Sequence, residues 1–210
     1  VHFTAGSQSN PPGTQYTVEL SSYSDFSTRR ASATLNLFAS FDALSPNTTY
    51  YAQVKSKNAQ GFYSDYTALG STVSLAAAPG WAVSTFTDVA NRSFTLHWAS
   101  GTPSAGYNPS GTLYTAHIST ASDFSGALSA IQTASLFAGF SGLQPGTSYF
   151  ARVRAQNFLG TPGVFTHFGF VQTTPSSEPL FTLNSFKVTN ALGSYINSSL
   201  YTDTTTVNVS

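Results

Sequence analysis

The stretch GTQYTVELSSYSDFS, beginning at Gly13, is written again almost unchanged as GTLYTAHISTASDFS, beginning at Gly111. The match continues downstream. LFASFDALSPNTTYYAQVKSKNAQG runs from Leu37 to Gly61, and LFAGFSGLQPGTSYFARVRAQNFLG runs from Leu136 to Gly160. Apolar and turn residues recur in register: Phe26 with Phe124, Phe41 with Phe140, Leu44 with Leu143, Tyr50 with Tyr149, Val54 with Val153, Asn58 with Asn157. The offset of 98 to 99 residues is the size of a domain and far exceeds a solenoid repeat of about 20–45 residues. The 210-residue chain therefore carries two copies of one fold.

The local pattern is that of strands. SFTLHW from Ser93 to Trp98 alternates polar and apolar residues, as do Tyr114-Thr115-Ala116-His117-Ile118 and the run from Tyr149 to Arg154. Period two with aromatic and β-branched residues marks half-buried strands. Asn10-Pro11-Pro12-Gly13, Asn108-Pro109-Ser110-Gly111 and Gln144-Pro145-Gly146 punctuate them as turns. Only 8% of residues are charged, against roughly 25% in an average soluble protein, so the polar surface is built from Ser, Thr, Asn and Gln. The expected fold class is all-β: two tandem sandwiches of about seven strands each, plus a strand-rich C-terminal segment.

LSPNTTYYAQVKSKNAQG from Leu44 and LQPGTSYFARVRAQNFLG from Leu143 resemble the fibronectin type III signature of Leu, any, Pro, any, Thr, any, Tyr, followed by alternation, an Asn and a Gly. Trp98 fits the buried tryptophan of that family's second strand. The Gly- and Thr-rich style resembles bacterial surface and secreted repeats more than animal matrix proteins. The resemblance covers most of residues 1 to 175. It implies a tyrosine corner at Tyr50 and at Tyr149, in which the phenol hydroxyl bonds to the backbone near the preceding Leu-x-Pro turn. The core positions it implies, together with the alternation, are Trp98, Leu44, Leu143, Val54 and Val153.

The expected domains are residues 1–78, a copy lacking its first strand and much of its second; residues 79–175, a complete copy; and residues 176–210, a tail. Val1 aligns with Leu96 and Phe3 with Trp98. In the tail Phe181 and Leu183 alternate, as do Phe186 and Val188, while TTTVNVS carries Val207 and Val209. These residues are candidate assembly strands. They begin a third domain, complete the first copy of a neighbouring chain by strand addition, a head-to-tail contact that grows a filament, or fold back onto the first copy of their own chain.

No catalytic centre emerges. Cysteine is absent, which removes disulfides and thiol chemistry. His97 and His117 are expected on outer faces of opposite sheets, exposed to solvent, and no metal set is expected. Asp25 and Asp123 recur within SDFS and are read as turn formers. Aromatics near the repeated glycines (Phe62, Tyr63 and Tyr66; Phe158, Phe165, Phe168 and Phe170) are read as packing the last strand and the joint between copies. Lys55, Lys57, Arg152 and Arg154 alternate with buried residues and form a basic stripe, read as a solvated face or a weak patch for an acidic partner. With net charge zero and no basic run, nucleic acid is not an expected partner, and no apolar run is long enough to span a bilayer.

The expected function is a non-catalytic extracellular structural or assembly module without cofactors. Its expected partners are other copies of itself or flanking repeats of the same protein, with a glycan or a cell-surface protein as the further candidates. The alternative reading is a glycan-binding or adhesion module, or accessory domains of a secreted hydrolase.

Overall fold

The structure is a computed structural model that describes residues 1–6, 10–126 and 128–176. Among these residues it is all-β, with antiparallel sheets throughout. The candidate assembly residues Phe181, Leu183, Phe186, Val188, Val207 and Val209 lie outside the described residues.

The first copy contributes β1 (Gln15–Ser21), β2 (Arg30–Thr34), β3 (Thr49–Lys57) and β4 (Thr67–Val73), ordered β2-β1-β3-β4 in one sheet. The second contributes β5 (Gly80–Thr87), β6 (Ser93–Ala99), a hairpin of β7 (Gly101–Thr102) and β8 (Gly106–Tyr107), then β9 (Leu113–Ser119), β10 (Leu128–Thr133), β11 (Phe137–Ser141), β12 (Ser148–Gln156) and β13 (Thr166–Gln172). Its four-stranded sheet β10-β9-β12-β13 faces a three-stranded sheet β11-β6-β5. This three-on-four sandwich is the architecture that the fibronectin type III resemblance of the sequence implies. The short β7–β8 hairpin is an element that the sequence alternation does not reveal.

Alternation decides what the second sandwich buries. Phe94, Leu96 and Trp98 of β6, Tyr114, Ala116 and Ile118 of β9, and Tyr149, Ala151 and Val153 of β12 all face inward. Each large apolar side chain so buried contributes about 1.5–3 kcal/mol. Trp98 packs on Tyr114 at 5.7 Å between ring centroids, and Phe94 on Phe140 at 5.7 Å.

The first sandwich has the same four-stranded sheet but, among the described residues, little opposite it. Facing it, residues 1–3 run beside residues 37–39. Ala39 N–H donates to the Val1 carbonyl at 2.9 Å, and Phe3 N–H to the Leu37 carbonyl at 3.0 Å. His2 bridges Phe38 as His97 pairs Phe137 in the second copy. Phe3 packs edge-on to Tyr16 at 5.1 Å, in the manner of Trp98 on Tyr114. The core here is Tyr16, Val18, Ala39 and Val54, with Phe3, Phe41 and Leu69 against it.

Leu44 corrects an expectation. It is half-buried, not core, whereas its counterpart Leu143 is 7% exposed. The turn at Leu143 is tied to the β5–β6 connection, its N–H donating to the Arg92 carbonyl at 3.0 Å. Among the described residues the first sandwich has no such connection to cover Leu44.

Both tyrosines reach back to their turns. Ser45 N–H donates to the Tyr50 hydroxyl, and Gln144 N–H to the Tyr149 hydroxyl, each at 2.9 Å. Removing one such acceptor costs about 1 kcal/mol. Tyr149→Phe is therefore expected to lower the stability of the second sandwich by about that amount. Urea denaturation followed by tryptophan fluorescence reads this cleanly, because both tryptophans, Trp81 and Trp98, lie in that sandwich. An unchanged midpoint would remove the hydroxyl's structural role.

Candidate functional site

Two arrangements stand out from generic packing: the joint between the sandwiches, and a cation–aromatic face on each four-stranded sheet.

The joint is made by asparagines. Asn47, in the Pro46-Asn47-Thr48 turn of the first sandwich, is 0% exposed. Its side-chain amide donates to the Thr112 hydroxyl at 2.7 Å, and its carbonyl accepts the Phe158 N–H at 2.7 Å. Its backbone is left-handed, with φ of 45°, a conformation Asn tolerates better than most residues. From the second sandwich, Asn157 donates to the Ser74 carbonyl at 3.3 Å. Asn108 reads both polar groups of Ala77, accepting its N–H at 2.7 Å and donating to its carbonyl at 2.9 Å. Thr166 donates to the Pro79 carbonyl at 2.8 Å. Gly106 lies so close to Pro46 that an added Cβ would come within 3.0 Å of its ring. A buried carboxamide left without partners costs about 1–3 kcal/mol, so these bonds resist separation of the two sandwiches.

The cation–aromatic faces occupy equivalent places. In the second sandwich His117, Arg152 and His167 stand side by side across β9, β12 and β13. The Arg152 guanidinium lies 4.0 Å from the Phe124 ring centroid and 4.1 Å from that of Phe165, held between two rings. Arg154 lies 4.7 Å from Phe165. Neither arginine has a carboxylate within ion-pair distance among the described residues. In the first sandwich the position of His117 is taken by Glu19, which is only 5% exposed. Its carboxylate accepts from the Tyr66 hydroxyl at 2.6 Å, Gln53 at 2.8 Å and Arg29 at 3.0 Å. Lys55 sits 4.4 Å from the Tyr63 ring centroid and 4.6 Å from that of Tyr66, and Lys57 sits 5.5 Å from Tyr63. The expected basic stripe is thus half-buried and stacked on rings. A cation gains by lying over an aromatic face, which makes these side chains more ordered than freely solvated ones.

The histidines also differ from the expectation of free solvation. His117 is half-buried, with its ring 4.9 Å from Phe165, and His97 bonds to the Thr87 hydroxyl at 3.0 Å. Among the described residues no three His, Cys, Asp or Glu side chains come together as a metal site would require. Asp25 and Asp123 accept the N–H of Ser27 and Ser125, each at 3.0 Å, inside their own turns. Of the aromatics read as packing, Phe168 is in the core, but Phe62, Tyr63, Phe158 and Phe170 are exposed. Asn47 heads a glycosylation-type triplet with Thr48 and Thr49, yet its burial in the joint leaves it inaccessible there. Glu19 and the joint asparagines escaped the sequence reading. The recurrence of Asn10 with Asn108 and of Asn58 with Asn157 was the available signal, and it was absorbed into turns.

No family model and no curated protein matches this chain. Among solved structures it is similar to a segment of two fibronectin type III domains from chicken tenascin, at 14% identity over 76% of this chain and 84% of that one, with a TM-score of 0.49. It is also similar to the FN1–FN3 domains of chicken CNTN1, at 18% identity and a TM-score of 0.36. That second similarity covers 77% of this chain and 56% of the other. No helix among the described residues is long and apolar enough to cross a membrane.

The two faces titrate in separate windows. Burial by itself would raise the Glu19 carboxyl, but the bonds from Tyr66, Gln53 and Arg29 outweigh it and hold Glu19 below the ordinary glutamate value. Such a group adds stability above its unfolded pKa and loses it as pH falls through the folded value. Burial first, then Arg152 and Arg154, push His117 below the ordinary histidine value. Its neutral form belongs to the fold, so stability is full above the unfolded histidine pKa and declines as pH drops below it. The second sandwich is expected to lose stability from neutral to mildly acidic pH, and His117→Asn to flatten that decline. Loss at Glu19 is expected only at lower pH, in the carboxylate range, and Glu19→Gln to flatten it. Thermal melts across pH, read by tryptophan fluorescence for the second sandwich and by amide exchange for the first, check both. Parallel slopes in variant and native chain would contradict the assignment.

Proposed function

We propose that this chain is a non-catalytic structural and assembly module of a secreted or surface protein of the bacterial type. The observation that carries the reading is the joint. Buried polar side chains are spent on fixing one sandwich against the next, through Asn47, Asn108 and Asn157, rather than on lining a cleft. Such a joint suits a spacer that must hold its orientation. Asn47→Ala is expected to loosen it. Small-angle scattering should then report a broader spread of inter-sandwich distances, with both sandwiches still folded. An unchanged profile would sink the rigid-spacer reading.

The finer part of the proposal concerns assembly. In the second sandwich, β5 lies beside β13, with Trp81 packed on Phe168 at 5.1 Å. The corresponding residues of the first sandwich, Phe3, Tyr16, Val54, Thr67 and Leu69, line an open groove of about 410 Å³. An apolar-alternating strand laid there would complete the first core by strand addition. The alternation of Phe181, Leu183, Phe186 and Val188 makes the tail of a neighbouring copy the proposed donor. That contact is head-to-tail and grows a filament. Light scattering and electron microscopy of the full chain are expected to reveal ordered polymers, lost when residues 177–210 are deleted. A monomer at every concentration would refute the filament.

A second reading draws on one observation. Arg152 and Arg154, ordered by stacking and without carboxylate partners among the described residues, favour an acidic glycan on the second sandwich.

A further inference from the structure

The joint has a twin at the other pole of the first sandwich. In the second sandwich Asn108, Thr112, Asn157 and the Phe158 N–H receive the first. Their counterparts by the repeat are Asn10, Thr14, Asn58 and the Ala59 N–H. The internal bonds that shape the receiving side are present in both copies. The Thr112 hydroxyl donates to the Pro109 carbonyl at 2.7 Å, and the Thr14 hydroxyl to that of Pro11 at 2.8 Å. The Asn157 side-chain carbonyl accepts the Thr161 N–H at 2.8 Å, and that of Asn58 accepts the Phe62 N–H at 2.9 Å. Gly160 N–H closes on Asn157 at 2.8 Å, and Gly61 N–H on Asn58 at 3.0 Å. What differs is cover. Thr112 and Asn157 are buried in the joint, whereas Thr14 is half-buried and Asn58 exposed. They line an open hollow of about 630 Å³ with Asn10, Pro11, Gly13 and Gly61.

We propose that this hollow is a preformed socket for another fibronectin type III-like sandwich, one that presents an asparagine in the place of Asn47. The incoming carboxamide donates to the Thr14 hydroxyl and accepts the Ala59 N–H. The Asn58 side-chain amide donates to a carbonyl at the end of that sandwich's last strand, as Asn157 does to Ser74. The occupant is defined by chemistry. Its turn must offer a left-handed residue carrying a carboxamide, because Thr14 and Ala59 supply one acceptor and one donor in fixed places. The chain's own second sandwich does not meet this requirement as it stands. At the position of Asn47 it carries Gly146, in Pro145-Gly146-Thr147, with φ of 61°.

That difference supplies the test, which rests on the structural reading above but fails separately from it. Gly146→Asn restores the carboxamide at the far pole. Its backbone is already left-handed, as Asn47's is, and among the described residues an added Cβ meets nothing closer than Pro175 at 3.9 Å. In sedimentation velocity the full-length variant is expected to self-associate about tenfold more tightly than the native chain, as befits one well-made pair of hydrogen bonds. Adding Thr14→Val or Asn58→Ala should abolish the gain, with thermal melts establishing that each variant is folded. A Gly146→Asn chain that associates no more than the native one overturns the socket, and so does a gain that survives both socket substitutions. Polymerisation through the tail and the groove at Phe3 and Leu69 does not involve Thr14 or Asn58. Its loss or persistence on deletion of residues 177–210 therefore bears on the filament proposal alone.

Discussion

Burial of a carboxamide is tolerable only when its donor and acceptor are both satisfied, and the relation between the two sandwiches depends on that constraint. Asn47 meets it with one hydroxyl and one backbone N–H, both from the second sandwich. Asn108 meets it with the backbone of Ala77, in the connection between the copies. The two partners of Asn47 are in place together only when the sandwiches lie at one separation and one angle. An apolar joint would be less demanding, since contact between hydrocarbon surfaces is not directional. Here hydrogen-bond geometry turns two similar domains into one body.

The same requirement, applied to backbone instead of side chains, governs the first sandwich. A sheet edge carries unpaired N–H and C=O groups, and an uncovered inner face exposes apolar side chains. In the second sandwich β5 and β6 meet both needs. In the first, residues 1–3 and 37–39 supply a remnant of that cover, and Leu44 is half-buried as a result. The proposed strand addition and the proposed socket address different parts of this domain. One concerns the face beside Phe3 and Leu69, the other the pole around Thr14 and Asn58.

The two four-stranded sheets keep one backbone and a pair of cations on each outer face, but differ at the position that Glu19 shares with His117. Glu19 gathers a phenol, an amide and a guanidinium around itself, so its own charge is neutralised within the first face. Where the repeat places His117 instead, Arg152 is held between two rings and against His117 Nδ1 at 3.4 Å, and Arg154 over one ring. A domain scaffold conserves inward positions because packing is intolerant of change, while outward positions are free to carry different chemistry.

Much of the fold was legible because its determinants are local. Alternation over β6, β9 and β12 states which side chains face inward, and the doubled Leu-x-Pro-x-Thr-x-Tyr run locates both tyrosine corners. The alignment of Val1 with Leu96 and Phe3 with Trp98 agrees with the bridge of His2 to Phe38, which matches the pairing of His97 with Phe137, because register follows directly from the apolar pattern. Burial of Leu44 was not legible, since it depends on a facing sheet that its own neighbours in sequence do not reveal. Nor was the stacking of Arg152 between Phe124 and Phe165, whose positions are set by separate elements. What the sequence by itself determined is two β-sandwich units, their registers and their turns. Only the tertiary structure decided that Asn47, Asn108 and Asn157 are joint residues as well as turn residues. A turn needs only its own neighbours, whereas a buried carboxamide is defined by partners 31, 65 and 111 positions away along the chain.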